Sequence, residues 1–72
     1  MVVLDKAEEK TLKLVCEAYT NDEIAKKLEY KPNYVKKIME RLIKKCGIGG
    51  TVSLNYTRIK LIVFAYKNKL IN

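Results

Sequence analysis

The sequence predicts an all-α domain of four helices with a helix-turn-helix at its centre. Three observations carry this expectation. Apolar residues recur at intervals of three and four in successive segments. Two capping boxes, Asp5 with Glu8 and Thr20 with Glu23, open helices, while Pro32 and Gly47 mark where another should start and stop. With 72 residues the chain is one domain, residues 1–72, too short to build a second core.

Asp5 opens the first helix, and the run "DKAEEKTLKLVCEAY" places Leu12, Val15, Cys16 and Tyr19 on one stripe. The second helix begins near Asn21 and turns Ile24, Ala25 and Leu28 inward, leaving Lys26, Lys27 and Glu29 outside. Ala25 is small enough to let another helix approach closely. "EYK" is long enough only for a tight turn. Pro32 suits the first position of a third helix, residues 32–46, because its missing N–H costs nothing there. Val35, Ile38 or Met39, Leu42 and Cys46 form its inward stripe, and Gly47 ends it in the left-handed conformation.

"IGGTVSLN" is a loop by composition; the alternation in "TVSL" would suit a short strand only by pairing with "VVL" near the N-terminus. A last helix runs from about Thr57 to Lys69. Leu61, Ile62 and Ala65 point together toward the core. On the opposite side Ile59, Val63, Tyr66 and Leu70 form a second apolar stripe. A surface helix needs only one such stripe, so the second is expected to be covered by its copy, which makes this a dimerisation helix and the protein a homodimer. Folding of "GGTVSLN" or "VVL" over the stripe in a monomer is the alternative.

Composition narrows the function. An apolar fraction of 49% argues against disorder. No apolar run approaches the roughly 18 residues of a membrane span, and acids and lysines follow the first apolar residues too soon for a signal peptide. A cytoplasmic protein without membrane partners is expected. Cys16 and Cys46, with no His in the chain, make neither a zinc set nor a disulfide framework, so both are read as small buried side chains. With no nucleophile beside a base, no glycine-rich phosphate loop and no carboxylate pair in a plausible pocket, neither catalysis nor a cofactor is expected.

Charge is the stronger pointer. Residues 1–30 hold five lysines against seven acids, whereas residues 31–72 hold ten Lys and Arg against the single acid Glu40. A basic half that begins at "KPNYVKK" suggests a surface for a polyanion. Placed on two short helices around "EYK", it suggests that the first helix supports while the second enters the major groove of DNA.

The stretch from Leu4 to Ile48 resembles the LuxR/GerE-type DNA-binding domain of bacterial transcriptional regulators. "TNDEIAKKL" (Thr20 to Leu28) matches that family's Ser-Asn-Lys-Glu-Ile-Ala segment, "YVKKI" its Thr-Val-Lys-x-His, and "KKCGI" its Lys-Lys-Leu-Gly-Val. "TRIKLIVFAYKNKLI" resembles the fourth helix and closing Gly-Leu-Ile. Ala7 and Lys10 stand where the family has Arg and Glu, Lys31 where it has a Ser cap, and Ile38 where it has His. The loop from Gly49 to Tyr56 is longer than usual. A related pattern occurs in sigma-factor C-terminal regions.

The resemblance implies sequence-specific binding to double-stranded DNA by a small transcriptional regulator. It puts Lys36 and Lys37 at base edges and nearby phosphates. Asn33 and Tyr34, at the start of the reading helix, and Thr20, at the start of the supporting one, would meet phosphate. Arg41, Lys44 and Lys45 would contact the DNA backbone. Glu40 either accepts from cytosine N4 or joins an ion-pair ladder with Lys36 and Lys44. Tyr30 fills the space between the two helices. RNA polymerase or another regulator would be a further partner. The alternative function is a protein-interaction module, an adaptor or co-regulator that keeps the fold without specific DNA binding.

Overall fold

The computed structural model describes residues 2–48 and 54–70, with the side chains of Leu54 and Asn55 left aside. It contains four helices: α1 (Lys6–Cys16), α2 (Asn21–Leu28), α3 (Pro32–Lys45) and α4 (Leu54–Lys67). No strand occurs among the described residues. The all-α, four-helix architecture is therefore as the sequence predicts. A radius of gyration of 11.1 Å is what close packing of a chain this long produces.

Both capping boxes form. The Glu8 N–H donates to Asp5 Oδ1 at 2.8 Å while the Asp5 N–H donates to Glu8 Oε1 at 3.0 Å. At α2 the Glu23 N–H donates to Thr20 Oγ1 at 3.2 Å, and the Thr20 N–H to Glu23 Oε1 at 2.9 Å. Each box satisfies two N–H groups that a helix start otherwise leaves unpaired.

Every helix sends fully buried side chains into one core: Leu12 and Val15 from α1, Ile24 from α2, Val35, Ile38 and Leu42 from α3, Leu61 and Ala65 from α4. The choice between Ile38 and Met39 resolves to both, since each is buried. Ile38 is a core residue and takes no part in the outer face of α3. Leu14 is buried as well, which widens the expected stripe of α1.

All four helices end in the same way, and this decides where the sequence reading needs correction. Ala18, Glu29, Gly47 and Lys69 take positive φ angles of 70°, 57°, 67° and 54°. In each case the next residue's N–H reaches back five positions: Tyr19 to Leu14 O, Tyr30 to Ala25 O, Ile48 to Ile43 O and Leu70 to Ala65 O, at 2.8–3.1 Å. That is the Schellman bond, and Tyr19, Tyr30, Ile48 and Leu70 then fold back against the core. Helix α1 thus stops at Cys16, and Tyr19 reaches the core from beyond the helix instead of continuing its stripe. Helix α4 begins at Leu54 and stops at Lys67, earlier at both ends than the expected 57–69. Residues 49–53, most of the 49–56 loop, fall outside the described residues, and Leu54, the last residue of "TVSL", belongs to α4.

A left-handed conformation costs an L-residue about 1–2 kcal/mol, which glycine avoids. Glu29 is exposed, so Glu29→Gly is expected to stabilise the fold by about 0.5–1 kcal/mol after the extra freedom of the unfolded chain is counted. Urea unfolding would show a higher midpoint at unchanged slope; a lower midpoint would mean that the Glu29 side chain contributes more than its backbone costs.

Candidate nucleic-acid interface

Three residues, Glu29 to Lys31, join α2 to α3. The turn is pinned by aromatic packing: Tyr30 lies against the core, and its ring meets Tyr34 edge-to-face at 5.0 Å and 72°. Tyr34 is 41% exposed, so one edge of its ring braces the turn while the other faces outward. The start of α3 differs from those of α1 and α2. Lys31 makes no side-chain cap bond and the first turn holds no acid, whereas Glu8 and Glu9 begin α1 and Asp22 and Glu23 begin α2. The partial positive charge at the start of α3 has no carboxylate of its own turn against it.

Beyond that start, Asn33, Lys37, Glu40 and Lys44 are exposed and recur at four, three and four, one ridge along the outside of α3 opposite its buried stripe. Lys36 is exposed on the flank of this ridge. With Asn33, Glu40 and Thr20 it borders a cleft of about 780 Å³ between α3, the start of α2 and α4, whose apolar lining includes Met39, Ile43 and Ile62. The structure thus brings Thr20, Asn33, Lys36 and Glu40 around one concavity and puts Lys37 and Lys44 outside it. Thr20 already accepts the Glu23 N–H, and together its N–H and hydroxyl hold the Glu23 carboxyl below the usual range.

The ion-pair ladder expected of Glu40 does not form: among the described residues the ion pairs are Arg41 and Lys45 with Glu8. An exposed pair one turn apart on a helix contributes only about 0.3–0.5 kcal/mol, comparable to the freedom two long side chains lose in holding it. Arg41 and Lys45, expected on the DNA backbone, are instead drawn onto α1. Lys45 Nζ lies 2.6 Å from Glu8 Oε1, and Arg41 Nε 3.6 Å from Oε2. Lys45 Nζ also donates to the Val3 carbonyl at 3.2 Å.

Arg58 carries no signal in the sequence beyond being an arginine on α4, yet it ties three elements together. Its Nη1 donates to Asn21 Oδ1 at 2.6 Å and its Nη2 to the Tyr19 carbonyl at 2.5 Å. Partial burial lowers its pKa. Burial likewise raises the thiol pKa values of Cys16 and Cys46, with Glu17 and Glu8 respectively adding to it; both cysteines are free and disfavour the thiolate.

On α4, Ile59, Val63 and Tyr66 are 56%, 47% and 59% exposed, an apolar face with no cover among the described residues. Leu70, expected on that stripe, is instead turned back against the core by the left-handed Lys69. No helix among the described residues is long and apolar enough to cross a membrane.

Comparison with protein-family models, curated proteins and solved structures finds no match for the chain.

Proposed function

We propose that the protein is a cytoplasmic, sequence-specific binder of double-stranded DNA, a small transcriptional regulator that works as a homodimer and has no catalytic role. Helix α3 is the reading helix of a helix-turn-helix and α2 its support. The single observation that carries this is the exposed lysine ridge of α3, on a helix whose N-terminal turn holds no acid. A duplex offers base edges and adjoining phosphates to Lys36 and Lys37, and phosphates to Lys44, Asn33 and the helix start. The exposed face of α4 supports pairing of two copies, which would set two reading helices about one helical turn of DNA apart.

Selection of bound sequences from random duplex DNA, run at two salt concentrations, tests this. A common motif, often two-fold symmetric, is expected at both, with affinity falling steeply as salt rises. The apolar lining of the α3–α4 cleft favours a second reading, a protein-interaction module. Weak, salt-insensitive DNA binding beside tight binding to another regulator would select it.

A further inference from the structure

Of the cations on α3, two are not free. Glu8 is 1% exposed, yet Arg41 and Lys45 keep side-chain exposures of 46% and 40%. Their heads therefore sit at the rim of a buried carboxylate. Glu8 Oε1 already accepts from the Asp5 N–H and from Lys45, and Oε2 has no hydrogen-bond partner, with Arg41 Nε 3.6 Å away. Moving either cation away to a phosphate would strip a buried anion of compensation that water cannot replace. A phosphate must compete with Glu8 for both, whereas Lys36, Lys37 and Lys44 have no such rival among the described residues.

We propose that Glu8 withholds Arg41 and Lys45 from the polyanion and so limits the phosphate footprint of α3 to Lys36, Lys37 and Lys44. Glu8 is in this sense a positioning residue that touches no DNA. It clamps the C-terminal half of α3 to α1 and holds down sequence-independent affinity, so that contacts near the start of α3 weigh more in discrimination. This inference rests on the reading of α3 as a polyanion-binding helix.

Glu8→Gln tests it cleanly. Glutamine is the other residue favoured at the third position of a capping box, so the bond to the Asp5 N–H can persist while the charge is lost. The released cations are expected to raise duplex affinity by up to roughly eightfold each at about 0.1 M salt, and to steepen the plot of log K against log salt by about one per cation. In the parent chain, Lys45→Gln and Arg41→Gln should leave the slope nearly unchanged, because neither withheld cation neutralises a phosphate, whereas Lys44→Gln should flatten it by about one. A folded Glu8→Gln variant with the parent slope, or a Lys45→Gln variant that flattens it as much as Lys44→Gln does, overturns the proposal. Should Glu8→Gln not fold, the comparison of Lys45→Gln with Lys44→Gln decides alone. Failure of the parent chain to bind duplex DNA would sink the DNA reading separately. The salt needed to elute the same variants from heparin would then still rank Lys44 against Lys45.

Discussion

Replacing Lys36 and Lys37 together by alanine is expected to weaken duplex binding by about 2–6 kcal/mol per protomer, about 1–3 for each side chain that meets a base edge or its adjoining phosphate. Both residues are exposed, so the double variant should unfold within about 0.5 kcal/mol of the parent. The loss would then belong to the interface and not to the fold. Three free lysines per protomer, Lys36, Lys37 and Lys44, make six in a dimer, for which a log–log salt slope of about −5 is expected. Removing four of the six should flatten it toward about −2. Lys37, on the outer ridge, should also affect preference at one base position, whereas Lys44 should act on all sequences alike. Unchanged affinity in the double variant would show that α3 does not read DNA, whatever else the chain binds.

Val63→Asp is expected to dissociate the proposed homodimer. Ile59, Val63 and Tyr66 stand on one face of α4 with about half of each exposed. Burying about 100 Å² of apolar surface at each would contribute roughly 2.5 kcal/mol apiece before the cost of association. Near a two-fold axis, one substitution sets two carboxylates against each other in an apolar contact, so the dimer constant should weaken by at least about a hundredfold. Sedimentation equilibrium at roughly tens of micromolar, where a dimer with a dissociation constant near 1 μM would be mostly paired, should show two copies for the parent and one for the variant. Cooperative binding to paired half-sites should disappear with it. A parent chain that is monomeric at that concentration, and whose DNA affinity ignores Val63→Asp, would refute pairing through α4. Leu70 should be insensitive in this assay, because it belongs to the core side of the chain.

The sequence by itself determined the features that depend on neighbours a few residues away. The two capping boxes, Pro32 at the start of α3 and Gly47 after its end were legible because each satisfies a local backbone requirement. The buried stripes of α2 and α3 were legible because a helix repeats every 3.6 residues. The charge division was equally plain, and it drew attention to the lysines of α3.

Only the tertiary structure decided the remaining helix ends and the fate of individual cations. Ala18, Glu29 and Lys69 have no intrinsic preference for the left-handed region; they adopt it because Tyr19, Tyr30 and Leu70 gain burial by folding back. That gain exists only once a core is present to receive them. Arg41 and Lys45 look no different in sequence from Lys37 and Lys44, yet Glu8 meets Lys45 from 37 residues away and holds Arg41 from the same side. Arg58 likewise finds the Tyr19 carbonyl 39 residues away. Local spacing specifies which face of a helix a charge occupies, but its partner is specified by the packing of α1 and α4 against the rest of the molecule. A buried carboxylate holds a cation that an exposed one, screened by water, would leave free.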